Sequence, residues 1–395
     1  MAPIPRLQPT SGPALFSAGF RPFFLFGAVW AGIAIALWLP AYFGDLTIAT
    51  TFSPRDWHMH EMLYGYVAAI VTGFLLTAIP NWTGRLPLQG WPLVGLVATW
   101  LAGRAAIAFS ALIGGWTAAA IDLSFLALVI AVSARELSHS KQSHNRRVLV
   151  AVLILFAGNA TFHAEALLRG AADYGVRIGL AAILLLIMLI GGRIVPSFTR
   201  NWLARENPGP LPAPPGRFDL IAIACGAAAL LFWIVAPETS LAGAALVAAG
   251  ALHAARLARW RGERTWRDRL VLVLHVAYAF VPLGFFATGL AAFGLAPSSV
   301  GIHIWTIGAI GGMTLAVMTR ASLGHTGRAL VAGSVAQAVY ALIVAAALAR
   351  VCAAMHPDWS MALLIASGVA WIAAFIGFAA SYWPILTRPR KTHQN

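Results

Sequence analysis

Apolar runs of about 20 residues recur along the chain, broken by short connectors that collect most of its charge. A helix of about 20 residues, rising about 1.5 Å per residue, crosses the ~30 Å hydrocarbon core of a bilayer. The pattern predicts twelve spans, over residues 21–41, 57–79, 91–113, 116–137, 147–169, 175–196, 218–236, 240–259, 269–293, 299–320, 328–353 and 359–384. The Pro-rich stretch from Pro208 to Pro215 reads as a stiff connector between two of them. The charge in the connectors tests the count. Of 27 Lys and Arg residues, 21 fall in the terminal segments and even-numbered connectors, while only Arg55, Arg169, Arg177 and Arg350 fall in odd ones. Arg104 and Arg193 lie within spans. Such alternation is the positive-inside signal, and it predicts that both termini face the cytoplasm.

Three of the spans predicted to run inward end alike. The sixth ends Gly191-Gly192-Arg-Ile-Val-Pro-Ser-Phe-Thr199-Arg200, and the tenth ends Gly311-Gly312-Met-Thr-Leu-Ala-Val-Met-Thr319-Arg320, in register at an offset of 120. The second ends Thr72-Gly73 through Pro80-Asn81-Trp82, and its Asn81-Trp82 matches Asn201-Trp202 at the same offset. The spacing predicts a single transmembrane domain over 1–395 built from three four-helix repeats, at 15–140, 141–260 and 261–390. Gly-rich helix ends followed by Arg also arise from packing and charge rules alone, so both readings stand.

Composition narrows the class. Hydrophobic residues make up 60% of the chain and charged residues 10%, with a mean hydropathy of +0.78. A soluble domain carries about 25% charged residues; this chain has too few to cover its surface in water. The formal net charge of +14 does not mark a nucleic-acid binder, because the basic residues are spread through short connectors. Cys225 and Cys352 both fall in apolar runs and offer neither a disulfide framework nor a CxxC motif. The first residues lack an apolar core with a small-residue cleavage site, so no cleaved signal peptide is expected and the first span serves as anchor. Hydrolase, P-loop and dinucleotide-binding fingerprints are absent.

Ionisable groups are costly inside a bilayer, which makes each one a functional candidate. Histidine is also the commonest ligand for haem iron and copper. His58 and His60 open the second span in Asp56-Trp-His-Met-His-Glu61-Met62, with Asp56 a plausible N-cap. Spaced i, i+2, their rings point about 200° apart, so an undistorted helix cannot direct both into one site. His163 lies near the outer end of the fifth span, close to Asn159 and Glu165, and His303 one turn into the tenth. These four histidines share the predicted outer third of the membrane, which points to metal or haem ligation. His275 and His325, with His253, lie toward the inner side; a second ligand set and ordinary helix capping or packing are equally open for them. His139, His144, His356 and His393 read as solvated. Met313 and Met318 suit soft axial ligation or, more commonly, packing. Arg21 and Arg193 suit bidentate partners of haem propionates or side chains that snorkel to the interface.

At these residues the chain resembles the NnrS family. The resemblance rests on Leu15-Phe-Ser-Ala-Gly-Phe-Arg21-Pro-Phe-Phe24, Trp57-His-Met-His-Glu-Met62, Pro80-Asn-Trp-Thr-Gly-Arg85, Gly191 to Arg200, and Met318-Thr-Arg-Ala-Ser-Leu-Gly-His-Thr-Gly-Arg328, and it runs from about residue 12 to 385. It implies a twelve-span protein of the bacterial inner membrane that contains haem b and copper and serves nitric oxide metabolism or nitrosative-stress protection, including in denitrification. It does not say which histidine carries which metal. The architecture is also analogous to the catalytic subunits of haem–copper oxidases and nitric oxide reductases, with twelve helices in a pseudo-threefold arrangement and haem ligands on the second and tenth. By that analogy His58 or His60, with His303, would hold a haem. Copper would need other donors, such as His163, His275 or the spare member of the His58/His60 pair, because the sixth and seventh spans hold no histidine. Nitric oxide or a related small molecule is the expected ligand, and a quinol or another donor would supply electrons if the chain is an oxidoreductase. The competing class is a proton-coupled transporter without a redox cofactor.

Overall fold

A computed structural model describes residues 12–84, 86–138 and 146–391. Arg6, Arg85, Lys141, His139, His144 and His393 lie outside the described residues. All regular secondary structure among the described residues is helical. Twelve helices are long and apolar enough to cross a bilayer: α1 Phe20–Phe43, α2 Pro54–Thr83, α3 Trp91–Ala108, α4 Gly115–Leu137, α5 Val148–Arg169, α6 Tyr174–Glu206, α7 Arg217–Val235, α8 Ser240–Arg264, α9 Arg269–Ala292, α10 Ser298–His325, α11 Ser334–Met355 and α12 Pro357–Thr387. The chain is a multi-pass membrane protein. Helices suit it because lipid offers backbone amides no partner, so each segment must satisfy its own hydrogen bonds. Large apolar side chains such as Leu220, Leu231, Val235 and Leu348 are exposed on the helices, where lipid takes the place of water.

The observed helices match the predicted spans in number and order. Of the differences, α11 begins six residues later than predicted, at Ser334, and the largest gains in length are at α2, α6 and α10, which run to 30, 33 and 28 residues, well beyond their apolar runs. Backbone hydrogen bonding carries a helix past the hydrocarbon into the polar interface, where hydropathy no longer tracks it. Each of these three helices also contains a π-helical stretch, at Glu61–Val67, Ile187–Gly191 and Ile304–Gly311. Such stretches widen the helix and commonly occur at functional positions. The start of α2 also differs from expectation. Ser53, not Asp56, is the N-cap: its hydroxyl accepts from the Asp56 amide at 3.1 Å. Pro54 takes the first helical position, where its missing N–H costs nothing.

The chain divides into two compact units, one of Met1–Gly179, Ser322–Arg328 and Ala379–Asn395, the other of Leu180–Ala321 and Ala329–Phe378. Each has its own buried polar cluster.

Candidate metal centre

The first unit buries a set of ionisable groups drawn from four consecutive helices. His60 and Glu61 come from α2, Arg104 from α3, Asp122 from α4, and Asn159 and His163 from α5. All six are almost completely withdrawn from solvent. Charges inside a bilayer survive only when paired, and here the pairing is dense.

The network is built on two carboxylates. Glu61 Oε1 accepts from Arg104 Nη1 at 2.6 Å, and Glu61 Oε2 from the indole N–H of Trp30 at 2.6 Å. The other guanidinium nitrogen, Arg104 Nη2, donates to Asp122 Oδ1. Asp122 Oδ2 accepts from the Asn159 amide at 2.7 Å and lies 3.1 Å from His163 Nε2 and 3.2 Å from His60 Nε2. Gly65 gives the network its space. A Cβ there would stand 2.6 Å from Arg104 Nη1 and 2.7 Å from Glu61 Oε2. The Gly65 carbonyl, within the π-helical stretch, accepts from the indole N–H of Trp100 at 2.9 Å.

His60 fixes the electrostatics. Its Nδ1 faces Glu61 Oε1 at 3.0 Å, and only a donor is tolerated against a carboxylate, so Nδ1 carries the hydrogen. A neutral His60 then turns the lone pair of Nε2 toward a carboxylate oxygen of Asp122. Nε2 makes no hydrogen bond, and neither does Nδ1 of His163. Glu61 and Asp122 bring two negative charges and Arg104 one positive charge, so with neutral imidazoles the cluster carries an excess negative charge out of reach of water. An unbalanced buried charge costs several kcal/mol. The cluster therefore calls for one more cation between the imidazoles and Asp122, either a proton or a metal ion.

The donors suit a metal ion. One ligand atom each from His60, Asp122 and His163 lie within 4.8 Å of one another. Donors about 2.0 Å from a tetrahedral ion stand about 3.3 Å apart, close to the 3.1 Å and 3.2 Å that separate Asp122 Oδ2 from the two imidazole nitrogens. Glu61 behind His60 completes a carboxylate–histidine–metal relay, which sets the tautomer of a ligating imidazole. A family model described as NnrS protein matches residues 14–390.

The chain belongs to the NnrS family.

Among curated proteins none matches it. Membership supports a membrane protein related to nitric oxide. In this NnrS-family chain the histidine–aspartate cluster fits a metal ion but not a haem. The rings of Phe52, Phe162 and Tyr64 pack at centroid distances of 5.7, 5.1 and 5.5 Å from His60, and Phe52 lies 5.8 Å from His163, so the imidazoles are enclosed by packed aromatic rings where a macrocycle would have to lie. Both Nε2 atoms are directed at Asp122.

The remaining candidates go separate ways. His58 leaves the cluster and stacks on Trp38 at 4.1 Å, as the i, i+2 spacing requires. Glu165 accepts from the amides of Tyr174 and Gly175 at 3.2 and 2.7 Å, so it serves the start of α6. Arg21 donates to the carbonyls of Leu386 and Arg388, both at 2.8 Å, and fastens the end of α12. Arg193 and His325 are exposed, the latter beside Phe20. His275 pairs with Thr199 at 2.7 Å, and His253 with the Tyr278 hydroxyl at 2.9 Å, both in the second unit. Met313 and Met318 are buried among packing residues. His303, also in the second unit, donates from Nδ1 to the Ser299 carbonyl at 2.6 Å. That bond leaves Nε2 as the lone-pair nitrogen, the tautomer a metal requires.

Sequence reasoning passed over Asp122 and gave Arg104 no role. The usable signal was present: an acidic residue in the middle of the apolar run Thr117–Val132 is as unusual there as a histidine.

Proposed function

We propose that this protein is a haem- and copper-containing protein of the bacterial inner membrane, with both termini cytoplasmic, that binds or processes nitric oxide or a species derived from it in nitrosative-stress protection or denitrification. His60, His163 and Asp122 would hold the copper. Two imidazoles and a carboxylate suit copper(II), and the excess negative charge of the cluster is the observation that carries this reading. Glu61 holds the His60 tautomer, and Arg104 and Trp30 hold Glu61. His303 would hold the iron of a haem b, supported by the Nδ1 hydrogen bond that frees its Nε2. Haem iron with an open axial position binds a diatomic gas. A quinol would serve as electron donor if the gas is turned over, and the protein would then act as an oxidoreductase on nitric oxide. A second reading comes from the same charge imbalance: one proton shared between His60 and Asp122 also satisfies it, as in a proton-coupled transporter without redox cofactors.

Metal analysis and absorption spectra of the purified full chain, oxidised, reduced and exposed to nitric oxide, separate these readings. The expected result is bound copper and a Soret band that moves with nitric oxide. His303→Ala should lose haem and keep copper, whereas Asp122→Asn should lose copper and keep haem. A colourless protein free of copper and iron, before and after metal loading, would overturn the redox reading in favour of the proton.

A further inference from the structure

The second unit has a cavity of about 620 Å³ where the end of α6, the start of α9, the end of α10 and the approach to α11 come together. Its lining includes four arginines, Arg205, Arg267, Arg269 and Arg320. The lining also includes the apolar side chains of Trp202, Leu330, Val331 and Ala332. The two acids present are already engaged. Glu206 pairs with Arg205 at 2.7 Å, and Asp268 Oδ1 accepts the amides of Leu270 and Val271 at 2.9 and 3.2 Å, capping α9. Among the described residues, no carboxylate forms an ion pair with Arg267, Arg269 or Arg320.

Arg320 is the most informative of the three. Its guanidinium lies over the Phe198 ring at 4.2 Å, and its Nη1 is buried without a hydrogen-bond partner. Asp268 and Tyr340 act electrostatically on this half-buried guanidinium, but its Nη1 has no acceptor within the protein, so an incoming anion would find a free donor there. The planar fork of arginine matches the oxygens of phosphate, and three such groups favour a phosphate-bearing anion. The volume exceeds an inorganic anion, and the apolar side chains would be wasted on one. Val331 and Leu330 are exposed beside the arginines. The cavity sits at helix ends, where the apolar segments meet the polar interface and where lipid phosphates lie.

We propose that this cavity binds a phosphate-bearing amphiphile, the headgroup of an anionic phospholipid, through Arg267, Arg269 and Arg320. The phosphate oxygens take the guanidinium donors, and the glycerol and upper acyl segments lie against Trp202, Leu330 and Val331.

Native mass spectrometry of the full chain in neutral detergent tests this with phosphatidylglycerol and phosphatidylcholine of identical acyl chains, and with inorganic phosphate as a separate arm. Phosphatidylglycerol should be retained about tenfold better than phosphatidylcholine, and Arg320→Gln should erase most of that preference. Arg320 also packs on Phe198, so the double variant Arg267→Gln/Arg269→Gln, at exposed positions, gives a second reading. It should lower phosphatidylglycerol retention about tenfold while thermal unfolding and copper content stay at wild-type values. Equal retention of the two lipids, or full retention by the double variant, would overturn the proposal. Displacement of phosphatidylglycerol by inorganic phosphate at equal concentration would assign the site to a free anion and overturn the lipid.

Discussion

The two units bury polar clusters of similar parts and different charge balance. In the first, α2 to α5 bring together one arginine, two carboxylates and two imidazoles. In the second, α6 to α9 bring one arginine, one carboxylate, one imidazole and a tyrosine: Arg256 donates from Nε to Asp219 at 2.8 Å and from Nη1 to the Met188 carbonyl at 2.9 Å and the Tyr278 oxygen at 3.0 Å. The Tyr278 hydroxyl also hydrogen-bonds with His253 Nδ1, at 2.9 Å. Gly192 admits the guanidinium, since a Cβ there would overlap Arg256 Nη2. One positive and one negative charge cancel, and the neutral phenol joins the remaining groups. The second cluster balances its formal charges, although Nε2 of His253 is buried without a hydrogen-bond partner; the first carries an excess negative charge. Buried histidines and arginines therefore mark polar packing as readily as they mark a site, and the sum of charges separates the two cases.

Changing the carboxylates tests that distinction most severely. Asp122→Ala should abolish copper binding and, by leaving Arg104 half-paired in a buried setting, cost about 3–5 kcal/mol of stability, measured by metal analysis and thermal unfolding in detergent. Asp122→Asn keeps an acceptor for Arg104 but cancels the excess charge. It should give a folded, copper-free protein, and copper retained at wild-type affinity would show that charge is not what calls for the metal. Glu61→Gln should weaken copper binding about 10–100-fold by loosening the control of the His60 tautomer, a change readable by competition with a chelator. In the second unit Asp219→Asn should cost about 1–3 kcal/mol because Arg256 loses its counter-charge, with copper content unchanged. A loss of copper there would end the contrast between the units. The smallest effect belongs to His58→Ala, which removes a ring stacked on Trp38 and should cost about 0.5–1.5 kcal/mol without altering copper.

The fold was largely legible because bilayer thickness fixes how long an apolar run must be and the connectors carry the charge bias. Twelve spans, their order and the Pro208–Pro215 connector could be read from residues alone. Helix ends were less legible at α2, α6 and α10, where hydrogen bonding outlasts hydrophobicity, and the π-helical stretch at Glu61–Val67 left no mark in the pattern. For the site, the expected depth of each histidine followed from its place in a span, but azimuth did not. Sequence ranked His60 and His163 alongside His58 and His303 because all four lie at one predicted level; which ring turns inward depends on helix packing. The i, i+2 spacing did carry the separation of His58 from His60. Asp122 needed attention to acids as well as to histidines.

Arg104 and Asp122 stand on α3 and α4, consecutive helices joined by only a few residues, 109–114. During synthesis that hairpin can leave the translocation machinery as a self-neutralised pair, so neither charge has to cross into lipid alone. Asn159, Phe162 and His163 arrive later, with α5, and they close the compartment. Order along the chain thus completes the compartment last, when α5 adds the Asn159 and His163 side chains to a pair already joined.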